Sequence, residues 1–158
     1  MGYFRMRRRL DGRPVEPTPL PDGVTMLPFT RDTAYAAREL MRRAYDGDLN
    51  DGGISFDGWW TWLTTDAEYD FNLMWVAGDT NGNVVGFCHC WSGNFVKDLV
   101  VDADCRGRGL GTALLTRALA AFTTRGAAFV DLKTDLDNYT AHSLYKRLGF
   151  IIVEEVLF

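Results

Sequence analysis

The sequence predicts a mixed α/β (α+β) domain with one continuous core, and three features of the 158-residue chain indicate this class. Two segments near residues 30–45 and 55–63 carry apolar residues at helical spacing. Three short apolar runs then form a meander around the turn Asn81-Gly82. The remaining chain alternates helix, strand, helix and strand. This order favours a single layered domain spanning residues 1–158.

The first third of the chain begins with an arginine-rich stretch and a proline-rich one. The prolines at 14, 17, 19 and 21 make residues 1–22 an extended N-terminal arm. The arginines at 5, 7, 8, 9 and 13 are interpreted as a solvated edge segment rather than a polyanion site. A strand is expected over 24–29. Thr30 and Ser55 are suitable N-caps for the two helices that follow.

The rest of the chain gives clearer element boundaries. Strands are predicted over 71–77, 84–91 and 95–101, with the first two joined by a hairpin at Asn81-Gly82. Apolar residues at helical spacing predict a helix over 112–124, which Gly126 ends. A buried strand over 127–133, a helix over 139–147 and a last strand over 151–158 complete the order.

Composition limits the classes of function. The net charge of −4 offers no basic face for nucleic acid and suits a cationic or amine ligand. No apolar run approaches the roughly 20 residues that span a bilayer, so no membrane partner is expected. Three cysteines cannot all pair, which favours a reducing, cytoplasmic location.

The cysteines and histidines do not predict a metal site. Along a strand, Cys88 and Cys90 face one side and His89 faces the other, so the three side chains cannot converge on one ion. Cys105 has no evident histidine partner and is interpreted as structural.

The sharpest feature is a glycine-rich turn between a buried strand and a helix. It reads Cys-Arg-Gly-Arg-Gly-Leu-Gly-Thr over residues 105–112. Glycines allow positive φ and a close approach of the backbone to a ligand, and a helix start presents unpaired N–H groups. Arg106 and Arg108 add positive charge where a pyrophosphate would lie. This pattern predicts a phosphate cradle.

Two other phosphate-binding motifs fit less well. A Walker A loop is excluded because no Gly-Lys-Ser/Thr ending is present. A dinucleotide-binding turn would use Gly107 and Gly109, with Asp131 as its ribose-binding acid. However, Thr112 occupies its third glycine position, and too little chain remains for a doubly wound sheet.

Two motifs in order resemble the GNAT superfamily of N-acetyltransferases. Arg106, Gly109 and Gly111, after the strand end at 99–102, are similar to its coenzyme A signature. Downstream, the run Leu144-Tyr145 followed by Leu148-Gly149-Phe150 is similar to its second motif, together with Asn138 and Ala141. The resemblance covers about 95–150 and implies splayed central strands in a mostly antiparallel sheet flanked by helices.

The resemblance also implies a ligand and roles for individual residues. Acetyl-coenzyme A would lie against Leu99, Val100, Val101, Arg106, Gly107, Arg108, Gly109, Leu110, Gly111, Thr112 and Asn138. Tyr145 would lie near the sulfur and protonate the departing thiolate as a general acid. The N–H of Val101 is a candidate for the oxyanion site. Transfer to an amine would be direct, in a ternary complex.

Several residues are candidates for the general base and for the binding site of the acceptor amine. Asp98 is the leading base, although strand alternation could aim it elsewhere, and Glu68, Asp70 and His89 are alternatives. Trp59 and Trp60 are candidates for stacking on an amine substrate, in balance with core packing. The leading hypothesis is an N-acetyltransferase acting on a small-molecule or peptide amine, and a homodimer is compatible with it. The alternative is a non-catalytic coenzyme A-binding sensor or interaction module.

Overall fold

The computed structural model describes residues 1–47, 49 and 51–158, and within them the chain forms seven strands and four helices. The strands are β1 (Gly2–Arg9), β2 (Thr25–Leu27), β3 (Met74–Gly78), β4 (Val84–Trp91), β5 (Phe95–Val101), β6 (Phe129–Asp135) and β7 (Ile151–Leu157). The helices are α1 (Arg31–Ala44), α2 (Phe56–Thr65), α3 (Leu110–Thr124) and α4 (Tyr139–Arg147). The mixed α/β class is confirmed. The strand expected from residue 71 begins at Met74, because Phe71–Leu73 form a 3-10 turn capped by Asp70.

All seven strands belong to one sheet in the order β2-β3-β4-β5-β6-β1-β7. Every neighbouring pair is antiparallel except β5 and β6, which run parallel. The mostly antiparallel sheet expected from the sequence is therefore confirmed. The parallel pair lies at its centre, where a helical crossover through α3 joins the two strands.

Helices cover both faces of the sheet. The first two helices pack with Phe87, Trp91 and Val100 in one apolar cluster. The last two helices pack with Cys88, Cys90 and Leu132 in the other. Side chains of β4 alternate between the two clusters, as a strand buried on both faces requires. Among the described residues, no helix is long and apolar enough to cross a membrane.

The expected edge position of the arginine-rich segment was wrong, although Arg9 and Arg13 are exposed to solvent as expected. β1 lies between β6 and β7, and its Met6 is fully buried. The buried group here is Asp131, which keeps its charge because two partly exposed arginines pair with it: it accepts bonds from Arg5 Nε (2.8 Å) and from Arg7 Nε and Nη2 (2.7 and 2.9 Å). This pairing also removes Asp131 from the role of a ribose-binding acid.

Residues after β1 form an arm that contacts α3. The backbone N–H of Thr18 donates to Thr116 Oγ1 (2.9 Å), and Arg117 Nη1 donates to the carbonyl oxygen of Thr18 (2.8 Å). Further along, Arg108 Nη2 donates to the carbonyl oxygen of Asp22 (2.6 Å). The arm is thus tied to the glycine-rich turn itself.

Replacing the central carboxylate of the arginine cluster tests its contribution to stability. We expect Asp131→Asn to lower the free energy of unfolding by about 2 to 3 kcal/mol, since it leaves Arg5 and Arg7 without a counter-ion. Burial raises the pKa of Asp131, but the bonds from Arg7 and Arg5 outweigh it and hold that pKa below its ordinary value. The difference from the wild type should therefore be full at pH 7 and shrink in acid, as Asp131 becomes protonated.

Urea unfolding of the wild type and of Asp131→Asn, at pH 7 and in acid, measures the difference in their free energies of unfolding. Asp11→Asn is the matched control, because Asp11 pairs with Arg13 in an exposed contact of 3.5 Å. It should change stability by less than about 0.5 kcal/mol. Equal effects of the two substitutions would show that the ion pairs of Asp131 do not stabilise the strand.

Candidate active site

The glycine-rich turn leaves a row of backbone amides without partners. The N–H of Arg106 reaches the carbonyl of Ala103 at 3.4 Å, and the N–H of Ala113 donates to Gly109 at 2.9 Å. Between these two, the N–H groups of residues 107–112 have no acceptor within the part of the chain that the structure describes. Six adjacent free donors at the positive end of a 15-residue helix form a strong potential anion site.

Backbone conformation explains why these donors remain free. Gly107 and Gly109 have φ of +77° and +86°, a region that side chains disfavour. A Cβ at either position would meet nothing within 4 Å, so the space beside the turn is open. Side chains of Thr30, Ser55 and Asn138 cap the other three helices, whereas Gly109 gives α3 no side-chain cap. A phosphate group fits this open helix start.

The strand before the turn separates from its neighbour on one side. β5 pairs with β6 only at Phe95↔Asp131 and Val96↔Leu132, although β5 continues to Val101. On the other side, β5 stays paired with β4 through Val101, with Lys97 as an extra residue in a β-bulge. The expected opening between the two central strands is therefore present.

Strand geometry decides which backbone groups face this opening. The N–H of Asp102 donates to the Val85 carbonyl in β4 (2.8 Å). Because backbone groups alternate sides along a strand, those of Val100 also point to β4, while those of Leu99 and Val101 point into the gap. Leu99 and Val101 can thus pair with an extended ligand. Val100 instead buries its side chain beneath the first two helices, at 4% exposure.

Helix α4 brings Tyr145 to this region. A Cβ on Gly111 would lie 3.3 Å from Leu144 and 3.8 Å from Val101, which shows how closely α3, α4 and β5 approach. Tyr145 is 9% exposed and packs edge-on against Phe150, with ring centroids 5.9 Å apart. Burial, with the nearby Cys88 and Asp98, raises the pKa of Tyr145 to about 12. The phenol therefore keeps its proton at neutral pH.

The polar residues predicted to bind the cofactor differ in whether their side chains are free to do so. Arg106 is exposed beside the turn, but Arg108 uses its guanidinium to bind the Asp22 carbonyl. Asn138 is exposed and caps α4, accepting from the Ala141 N–H at 3.3 Å. Leu110 is buried at 1%, so only its backbone faces a ligand. The site depends on main-chain donors more than on arginine side chains.

A cavity of about 380 Å³ lies on the face of the sheet that α1 and α2 cover. Asp98 lines it, so strand alternation does not aim this side chain away from the cavity. The other lining residues are Arg38, Met41, Tyr45, Leu49, Asp51, Ile54, Trp59, Trp62 and Lys97. Both tyrosines, Tyr45 and Tyr145, have their pKa raised in part by Asp98, after burial. Because Asp98 lines the cavity and is followed on β5 by Leu99, whose backbone faces the strand opening, the cavity and the opening are neighbours.

His89 lies beside Asp98, on the neighbouring strand of the sheet. The two residues are partners across β4 and β5, and Nδ1 lies 3.5 Å from Asp98 Oδ2. His89 is 1% exposed, and neither ring nitrogen has a closer partner among the described residues. Burial raises the pKa of Asp98, but His89, Lys97 and Arg38 together hold it below its ordinary value. Asp98 is thus a carboxylate at neutral pH.

The two tryptophans chosen from the sequence have different surroundings. Trp59 lines the cavity, but the Arg38 guanidinium already covers its ring, 4.8 Å from the centroid. Trp60 packs with Phe29 and Phe56 and is absent from the cavity lining. Trp62, the third tryptophan of this segment, also lines the cavity, with 46% of its surface exposed.

The remaining candidates have structural roles. Asp70 binds Arg125 at 2.6 Å, so it does not serve the cavity. Cys88 and Cys90 share a face, with their sulfurs 3.8 Å apart, as predicted. Sequence reasoning missed Arg38 and Tyr45. An arginine on the buried face of an amphipathic helix was a signal for the first, since such a residue needs a partner.

Comparison with known proteins gives the family. The model of the acetyltransferase (GNAT) family matches residues 34–150, and the chain belongs to that family. Mycothiol acetyltransferase of Clavibacter michiganensis subsp. michiganensis is 32% identical over 145 residues, covering 84% of this chain and 44% of that protein. The chain spans between 34% and 53% of the length of these mycothiol acetyltransferases.

Solved structures agree on the fold. A GCN5-related N-acetyltransferase from Sphaerobacter thermophilus superimposes with a TM-score of 0.81 at 26% identity, covering 98% of this chain and 49% of that one. A tandem GNAT protein from the clavulanic acid biosynthesis pathway gives a TM-score of 0.72 at 16% identity, with 98% and 51% covered. Together with the family model, these structures show that the chain has the GNAT fold.

Proposed function

We propose that this chain uses acetyl-coenzyme A to acetylate a primary amine of a small molecule or peptide, by direct transfer in a ternary complex. The observation that carries the proposal is the opening between β5 and β6 beside six unpaired amides. The amides suit a diphosphate, and the strand edge at Leu99 and Val101 suits an extended amide-containing chain. One ligand that needs both is coenzyme A.

When bound, acetyl-coenzyme A supplies a thioester carbonyl and leaves with the thiol. The amine nitrogen forms a bond to this carbonyl carbon while the carbon–sulfur bond breaks. We assign the N–H of Val101 to the developing oxyanion, because it points into the strand opening. We assign Asp98 to the amine, where its carboxylate attracts the cation and accepts the proton that the nitrogen loses on attack.

Tyr145 is the group that we assign to the departing sulfur. Its phenol stays protonated because its pKa is raised to about 12, which a proton donor requires. A thiol has a pKa of about 8.5, so complete transfer from such a phenol to a thiolate is uphill. Hydrogen-bond donation to the sulfur as charge develops there is therefore its main contribution.

Two measurements test the function. Calorimetry with acetyl-coenzyme A should show binding, and an amine panel should show steady release of free coenzyme A. The substrates of mycothiol acetyltransferases should also be tested, since one such relative is 32% identical. If acetyl-coenzyme A binds but no amine of the panel leads to release of coenzyme A, the alternative of a non-catalytic coenzyme A-binding sensor would be favoured instead. No binding at millimolar cofactor would refute both.

A further inference from the structure

Arg38 is a buried cation whose hydrogen-bonding capacity is largely unused. Its side chain is 5% exposed and forms an ion pair with Asp51 through Nη2. A guanidinium has five N–H donors, and in the described part of the chain this is the one hydrogen bond that Arg38 makes. Its Nε is fully buried and has no partner among the residues that the structure describes. Buried polar groups are normally satisfied, so this residue calls for an explanation.

Arg38 lines the cavity, so a ligand bound there can accept hydrogen bonds from the end of its guanidinium. The guanidinium lies over the Trp59 ring at 4.8 Å, which fixes its plane. It lines the same cavity as Asp98, and its charge acts on that carboxylate. A planar hydrogen-bond donor and a carboxylate therefore share one cavity, where a single substrate molecule could contact both.

We infer that the acceptor is an α-amino acyl amide, such as a peptide N-terminus, with its amine at Asp98 and its carbonyl oxygen at Arg38. This inference rests on the proposed function and names the substrate class of the same site. In such a group the amine and the carbonyl oxygen are separated by a single carbon and the carbonyl carbon. Both polar groups thus belong to one compact ligand, and Arg38 and Asp98 line one cavity that could hold it.

Charge favours a neutral carbonyl over a free carboxylate. The cavity lining holds two cations, Arg38 and Lys97, and two anions, Asp51 and Asp98. Asp51 already balances Arg38. A carboxylate would add a third anion next to these two, whereas an amide carbonyl accepts the same hydrogen bonds without added charge.

The chemistry of Asp98 supports an α-amine independently. A carboxylate with a lowered pKa is a weak base, and it cannot neutralise a strongly basic amine. An α-amine has a pKa of about 7.7 to 8.0, against about 10.4 for a lysine side chain. At pH 7 the neutral fraction of the α-amine is therefore larger by roughly two orders of magnitude. A site with a weak base suits an acceptor that deprotonates easily.

Three related amines test the inference with acetyl-coenzyme A and the intact chain. L-leucinamide has the amide carbonyl, L-leucine has a carboxylate, and 3-methylbutylamine has neither. With kcat/KM expressed per neutral amine, we expect L-leucinamide to exceed both others by on the order of a hundredfold. Equal values for L-leucinamide and 3-methylbutylamine would overturn the inference and leave the proposed function intact. Cofactor binding without coenzyme A release from any of the three would also overturn it.

Substitution of Arg38 links the preference to this residue. In Arg38→Met the ratio of kcat/KM for L-leucinamide to that for 3-methylbutylamine should fall to near one. Arg38→Lys keeps the charge but loses the planar fork, so it should lower the ratio too, and it serves if the first variant does not fold. Arg31→Met on the same helix, where Arg31 is 54% exposed, should keep the wild-type ratio. An equal fall for both amines in the Arg38 variants would indicate a structural role and overturn the inference.

Discussion

Gly109→Ala is expected to weaken binding of acetyl-coenzyme A by on the order of a hundredfold. Gly109 has φ of +86° and begins α3, so an alanine there must either bear strain or turn the backbone. Turning it redirects the free amides on both sides, which are the proposed diphosphate donors. The added Cβ also projects into the open space beside the turn. Calorimetric titration with the cofactor measures the loss.

Gly82→Ala is the matched control for this substitution. Gly82 has φ of +80° in an exposed hairpin turn, and a Cβ there also meets nothing within 4 Å. Both variants should therefore lose about the same stability, roughly 1 kcal/mol, while Gly82→Ala keeps wild-type cofactor affinity. Similar cofactor affinity in the two variants would remove the turn from the proposed site.

The elements of this site could be predicted from sequence because their signals are local. Gly107 and Gly109 adopt positive φ, a local backbone conformation in which the amides of the turn stay free. The helices and the meander likewise follow from period and turn residues within short windows. The opening between β5 and β6 was expected from the family resemblance and not from the spacing of residues.

The parts that sequence reasoning missed depend on contacts between distant segments. β1 reads as a solvated arginine-rich edge, and its interior position depends on Asp131, more than a hundred residues away. Trp59 and Trp60 are adjacent in sequence, yet a helical turn of about 100° sends only Trp59 to the cavity. The approach of Arg38, Asp51 and Asp98 joins a helix, a loop and a strand, and no local pattern encodes it.

Tyr145→Phe is expected to lower kcat by about a hundredfold or more, with little change in cofactor affinity. The substitution removes one oxygen and keeps the ring that packs on Phe150, so the fold around α4 should persist. The lost interaction is made to sulfur only as charge develops, which places the effect on kcat. Single-turnover rates and cofactor titration separate the two quantities.

Tyr139→Phe provides the control, since Tyr139 is on the same helix but 73% exposed. It should leave both kcat and cofactor affinity unchanged.

The pH dependence of the rate is a second check. With a Tyr145 pKa of about 12, the wild-type rate should not fall through loss of the phenol proton below about pH 10. Because the pKa of Asp98 is lowered, protonation of this carboxylate should not reduce the rate at any pH above its ordinary pKa of about 3.9. The acceptor amine then sets the limb near neutrality, so that limb should move with the pKa of the amine supplied. A limb fixed near neutrality for every amine would assign proton removal to a group other than Asp98.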